Sequence, residues 1–333
     1  MSCSQPLVDA FQRRISYLRL SVTDRCDLRC TYCMPEAMQF LPKKDVLSLE
    51  ELHKLSLAMI ERGITKIRLT GGEPLVRRDV IDLIRALGRK IGDGLDELTL
   101  TTNGTRLEEF AEDLFAAGIR RINVSLDTMD SALFEQLSRR DRLVQVLRGI
   151  AAAQAAGLKV KLNTVALKGL NEEEIPFLVE WAHARGADMT LIEIMPLGEI
   201  EGERSDHYLP LPAVRDRLEQ RWTLTDIADS TGGPARYVRV EETGGRLGFI
   251  TPLTNNFCAS CNRIRITATG QLYACLGGAE MVDLRAALRS DTPDARLAEA
   301  LDEAMRIKPE KHHFRIEQGS GPAQPRHMSV TGG

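Results

Sequence analysis

The chain has 333 residues, 43% of them hydrophobic and 27% charged, with a formal net charge of −3. That length holds one large α/β domain or two smaller ones, and the charge balance excludes a general polyanion-binding surface, so any nucleotide site has to be a local basic patch. No apolar run approaches the ~20 residues of a membrane span, and residues 1–11 lack the apolar core of a signal peptide.

Residues 16–22 alternate polar and apolar side chains, the period of a strand, and lead into Cys26-Asp27-Leu28-Arg29-Cys30-Thr31-Tyr32-Cys33. Ser48 and Glu51 form a capping box for a helix that carries Leu52, Leu55, Met59 and Ile60 on one face. A strand at 66–70 then ends in Gly71-Gly72-Glu73-Pro74. Further strands are predicted at 97–101, 121–126, 159–167 and 189–195, with helices between them, the last over 172–185. Six strand–helix alternations predict an α/β fold with a parallel sheet and helices outside it. The texture changes after about residue 197. A helix is predicted at 212–221, strands broken by a second cysteine group at 245–276, and a helical stretch at 284–305.

Seven cysteines are too few for a disulfide scaffold. Six form two triplets, Cys26, Cys30, Cys33 and Cys258, Cys261, Cys275, with Cys3 left over. Without a signal peptide, such triplets point to metal work in a reducing cytoplasm. Soft thiolates suit Fe–S clusters, zinc or copper(I). A structural zinc is normally closed by four ligands, so a three-cysteine loop suits a [4Fe–4S] cluster with one iron left open. For the second triplet a Cys3His zinc site completed by His312, His313 or His327 stays open as an alternative. Against it stand Arg263 and Arg265, which flank Ile264 and share one face of a strand. Two guanidinium groups there suit phosphate oxygens.

The C-x3-C-x2-C spacing, the Gly-Gly-Glu turn one strand later, Thr101-Thr102-Asn103-Gly104, Asn123 to Asp127, and Phe257-Cys258-x2-Cys261-Asn262-Arg263-x-Arg265 occur together, in order. This set resembles the radical S-adenosylmethionine (SAM) superfamily, in particular its GTP-cyclising members of molybdenum cofactor biosynthesis. The resemblance covers residues 11–333. It implies a partial (βα)6, TIM-like barrel over 1–197 and a C-terminal α+β cap over 198–333 that carries a second cluster. It also implies two [4Fe–4S] clusters and SAM, which the first cluster cleaves to a 5′-deoxyadenosyl radical. Tyr32, Gly72, Ser125 and Met195 are then SAM contacts. Arg19, Arg68, Thr101, Lys161 and the run Arg263, Ile264, Arg265 are GTP contacts. The terminal Gly332 and Gly333 thread into the site and are needed for catalysis.

The residues agree in part with that assignment. Arg19, Arg68 and Lys161 are long cations on apolar parallel strands, where a charge is costly unless paired, and parallel strands are normally covered on both faces. A triphosphate would satisfy them. One departure stands out: relatives commonly carry Arg-Phe-Ile-Glu on the sixth strand, whereas here it is Thr190-Leu191-Ile192-Glu193. Expected partners are GTP, an electron donor of flavodoxin or ferredoxin type, and a downstream cyclic pyranopterin monophosphate synthase. A homodimer is admitted, and nucleic acid and membrane are not expected. His327 is read as a surface residue. Two other readings compete, a two-cluster radical enzyme acting on a peptide and a zinc-stabilised nucleotide-binding module.

Overall fold

The computed structural model describes residues 5–319 and 321–332; Cys3 and Gly333 lie outside the described residues. Six parallel strands form the centre: β1 (Tyr17–Ser21), β2 (Lys66–Thr70), β3 (Glu97–Thr102), β4 (Arg121–Ser125), β5 (Lys159–Ala166) and β6 (Asp188–Glu193). They pair in chain order. Helices lie between them: α1 (Leu49–Glu61), α2 (Val80–Gly88), α3 (Leu107–Ala116), α4 (Ser131–Ser138), α5 (Leu143–Ala155) and α6 (Ile175–Ala184). The predicted capping box is present, with Glu51 N–H donating to the Ser48 hydroxyl at 3.1 Å and Ser48 N–H donating to the Glu51 carboxylate at 2.8 Å.

Strand periodicity explains both faces of the sheet. Leu18, Leu20, Ile67, Leu69, Leu98, Leu100, Val160 and Leu162 are at most 4% exposed and belong to the large hydrophobic core. Burying each such side chain stabilises the fold by about 1.5–3 kcal/mol. The alternate positions, Arg19, Arg68, Thr101, Asn123 and Lys161, line one interior cavity although they come from five different strands. A flat sheet could not gather them; the sheet is curled into an open barrel.

The C-terminal region has the expected α+β elements and joins them directly to the barrel sheet. Its strands β7 (Leu224–Ile227), β8 (Arg236–Val240), β9 (Arg246–Ile250), β10 (Arg263–Ile266), β11 (Gln271–Tyr273) and β12 (Met281–Asp283) extend the barrel sheet at both edges. β10 pairs parallel with β1, and β9 pairs parallel with β6. Open edges are a liability, and here the chain's own last third covers them. The predicted helix at 284–305 is two helices, Leu284–Leu288 and Pro293–Arg306. Pro293 cannot continue a preceding helix and stands at the start of the second one, after a non-helical Thr292. No helix among the described residues is long and apolar enough to cross a membrane.

Candidate active site

Two cavities adjoin inside the barrel. One is lined by Cys26, Cys30 and Cys33, the other by Cys258, Cys261 and Cys275, and they share Thr101, Asn163, Ile192, Met195 and Met328 as a common wall. The first triplet follows β1 at the carboxyl ends of the strands, where βα folds place their chemistry. Its loop is held by backbone bonds from Arg29 N–H to Ser138 O and from Thr31 N–H to Leu137 O, both 2.9 Å. The Arg29 guanidinium ties back to the Cys26 carbonyl at 2.6 Å. Asn103 Nδ2 donates to Cys26 Sγ at 3.7 Å and to Asp27 Oδ1 at 2.7 Å.

All six triplet cysteines are free thiols. Burial pushes the Cys26 and Cys30 thiols well up and Cys33 to about 11, so these sulfurs become thiolates only when a metal group holds them. Among the described residues, no three His, Cys, Asp or Glu side chains converge closely enough for a single metal ion. The first triplet lines one cavity and the second triplet the other, and three soft thiolates in each suit an Fe–S cluster. His312 lines the second cavity with the triplet; its ring is tilted 37° against Phe314 with centroids 4.5 Å apart, and its Nε2 is buried without a hydrogen-bond partner. His327, read as a surface residue, is half-buried and packs over Gly198.

The four residues read as SAM contacts all line the first cavity. A Cβ on Gly72 would lie 2.4 Å from the Arg25 carbonyl, and one on Gly71 would lie 2.5 Å from that of Thr23. The turn therefore has to be glycine to pass under the cysteine loop. Glu73 is fully buried and accepts from Leu75 N–H, Thr102 Oγ1 and Asn103 N–H at 2.6–3.0 Å. Burial raises its carboxyl to about 7. The Tyr32 hydroxyl donates to Asp127 Oδ2 at 2.5 Å, and Asp127 Oδ1 accepts from Val165 N–H at 2.8 Å. Asp127, raised by burial to about 6, belongs to the motif at 123–127 but has no role assigned from sequence, because its partners are 95 and 38 residues away.

The second cavity is cationic. Arg265, Arg19 and Arg68 are direct Cα partners across β10, β1 and β2, an arrangement that is unfavourable for like charges unless an anion lies among them. Arg68 Nε donates to the Tyr17 hydroxyl at 2.5 Å, and its Nη1 donates to Thr101 Oγ1 at 3.2 Å. Arg19 Nε is buried without a hydrogen-bond partner. Lys161 donates to the Tyr237 hydroxyl at 2.9 Å, and the Arg263 guanidinium lies 5.2 Å from the centre of the Phe257 ring. Ile264, between the two arginines, also lines this cavity, while its side chain is 1% exposed in the hydrophobic core. At the departure on β6, Thr190 is fully buried with an unpaired hydroxyl. A Cβ on neighbouring Gly248 would meet both the Tyr237 ring and Thr190 Oγ1 at about 3 Å. Tyr237 thus fills space beside Thr190, and Lys161 is the cation it holds there.

The tail reaches this region as a single helical turn, Met328–Thr331. Arg265 Nη1 donates to the Thr331 carbonyl at 3.2 Å and also to the Gly332 carbonyl. Thr331 is fully buried.

A thiol triplet at the strand ends of a curled parallel sheet, above a Gly-Gly-Glu turn, defines a radical SAM enzyme. The Radical SAM superfamily model matches residues 20–182, and the Molybdenum Cofactor Synthesis C model matches residues 187–314. The chain is 71% identical over 98% of its length to a GTP 3′,8-cyclase of Erythrobacter litoralis, covering 98% of that protein. It is 62% identical to that of Rhizobium meliloti, covering 98% of this chain and 95% of that one. This chain belongs to the GTP 3′,8-cyclase family. Among solved structures it is similar in fold to Streptococcus suis SuiB bound to S-adenosylmethionine, with a TM-score of 0.64 at 17% identity, covering 91% of this chain and 68% of that one. It is also similar to anSMEcpe with bound AdoMet, with a TM-score of 0.55 at 14% identity, over 85% and 83% of the two chains.

Proposed function

We propose that this chain converts GTP to (8S)-3′,8-cyclo-7,8-dihydroguanosine 5′-triphosphate, an early step of molybdenum cofactor biosynthesis. Catalysis begins in residues 1–197, and residues 198–333 complete the substrate cavity with Arg263 and Arg265. Cys26, Cys30 and Cys33 would hold a [4Fe–4S] cluster, which with SAM would supply a 5′-deoxyadenosyl radical; with the 3′ hydrogen of GTP passed to that radical, C3′ adds to C8, and one further electron and a proton from the reductant and solvent complete the dihydro product. Tyr32, Gly72, Ser125 and Met195 hold SAM in the first cavity. Arg19, Arg68, Lys161, Arg263 and Arg265 hold GTP in the second, with Thr101 at the shared wall. Cys258, Cys261 and Cys275 would hold a second cluster in the substrate cavity. An electron carrier of flavodoxin or ferredoxin type delivers electrons, and a separate cyclic pyranopterin monophosphate synthase consumes the product.

The observation that carries the reading is the in-register row Arg265, Arg19, Arg68 in a cavity that shares a wall with the SAM cavity. With SAM, a reductant and GTP deuterated at C3′, deuterium is expected in 5′-deoxyadenosine. SAM cleavage without deuterium transfer would move the reading to another substrate.

A pH dependence follows from the same cavity. Burial raises the Tyr17 phenol, but Arg68, Arg19 and Lys66 outweigh it and hold the group at about 7. Burial, with Arg68 and Arg121, lowers Lys161 to about 7. Above that pH the free site holds an ionised phenol and a neutral amine, both wrong for a polyanion, and the triphosphate restores both protons. GTP affinity is therefore expected to fall as pH rises from 7 to 9, by up to roughly tenfold per unit per group. Calorimetry at pH 8 in buffers of different ionisation enthalpy should register net proton uptake on binding. Proton release, or a flat affinity, would refute this account of the site.

A further inference from the structure

We propose that Lys308 is a positioning residue for the C-terminal cluster, a fixed positive charge that raises the potential at which that cluster accepts an electron. The assignment rests on the two-cluster reading above.

Lys308 is 2% exposed and follows the helix Pro293–Arg306. Its Nζ donates to Cys261 Sγ at 3.8 Å, to the Arg263 carbonyl at 3.1 Å and to the Ala274 carbonyl at 2.5 Å. An ammonium group has three donors and no acceptor, and all three partners here are acceptors. The geometry therefore fits the charged form. No carboxylate lies within salt-bridge distance of it among the described residues. A buried cation needs a compensating anion, and the thiolates of the second triplet are the anions at hand. The two carbonyls belong to the residues just before Cys275 and two after Cys261, so the same ammonium ties both ligand segments together.

The surroundings of the two triplets differ in charge balance. At the first, the side-chain N–H donor to sulfur is the neutral amide of Asn103; Asp27, Glu73 and Asp127 act on Cys26 and Cys30 as negative neighbours, and Arg204 acts on Cys33 as a positive one. At the second, the donor is a charged ammonium, with Arg13 and Arg263 also acting on Cys261. Arg13 fastens the same corner by donating to the Cys258 carbonyl at 2.8 Å and the Pro309 carbonyl at 2.7 Å. Hydrogen bonds to sulfur and net local charge are the protein's levers on cluster potential. A cation stabilises the reduced, more negative cluster, so the C-terminal cluster is the easier of the two to reduce.

The test uses the full-length chain with Cys26, Cys30 and Cys33 replaced by Ser, so that reconstituted iron reports the second triplet alone. In a redox titration followed by electron paramagnetic resonance, Lys308→Met is expected to shift the reduction equilibrium at least tenfold toward the oxidised cluster. That corresponds to about 59 mV for one electron. Lys308→Arg, which keeps the charge, should stay near the parent. If Met does not load iron, Lys308→Gln, which keeps a donor but not the charge, carries the comparison with Arg. Equal potentials in the neutral and cationic variants at roughly four irons per chain would overturn the proposal. A parent chain that binds no iron would overturn the two-cluster reading and this proposal with it, and the iron count tells the two failures apart.

Discussion

Replacement of Arg265 by Ala is expected to lower kcat/KM for GTP by roughly 10²–10³-fold while SAM cleavage persists. The side chain is 9% exposed and sits on β10 directly opposite Arg19. Removing one member of a buried, hydrogen-bonded charge pair costs about 2–5 kcal/mol, and each 1.4 kcal/mol is tenfold. Part of the loss is specific to the guanidinium, which can bridge two oxygens at once, so Arg265→Lys should recover activity only in part. Steady-state kinetics combined with a count of 5′-deoxyadenosine per product checks both points. A loss of SAM cleavage equal to the loss of product would place Arg265 in the SAM site instead.

The second large effect is expected at Gly332. Its φ of +73° is one that side chains rarely adopt, and a Cβ would lie 2.0 Å from Thr70 Oγ1. Thr70 is a β-branched residue, 1% exposed on β2, and cannot swing aside. Gly332→Ala should therefore lift the tail from its seat against Arg265. Cyclisation is expected to fall by at least about 10²-fold, the scale of a misplacement near 1 Å, and the global fold should be retained. Removal of Gly332 and Gly333 together should give the same result, with uncoupled 5′-deoxyadenosine as its signature. Normal product yield from either variant would show that the tail only fills space.

What could be read before folding was mostly local. The cysteine triplets, the Gly-Gly-Glu turn and the α1 cap each depend on residues within a few positions of one another. The cations of the second cavity were also legible, because Arg19, Arg68 and Lys161 interrupt apolar alternation on strands that allow no exposed face. The sheet edges were not. β7 carries only part-buried and exposed residues, so it has no alternation to betray it, and β12 is three residues long. Tyr17 was hidden as well. Its hydroxyl meets Arg68, 51 residues on, and a tyrosine on a strand ordinarily means packing. Lys308 looked like one more charge after a helix, and its three acceptors lie 34 to 47 residues earlier.

The pairing of β10 with β1 joins Arg263 to Tyr17 and Ile266 to Leu20. During synthesis, β1 and its cysteine loop leave the ribosome long before their neighbour exists. At about 5–20 residues per second, the interval is on the order of ten seconds or more, and such long-range pairing is intrinsically slow. For that time the nascent first two-thirds present an unpaired strand edge and three thiols together. The first triplet is thus complete in the nascent chain before β10 can close this edge of the sheet, and a fragment ending near residue 197 would keep that edge permanently unpaired.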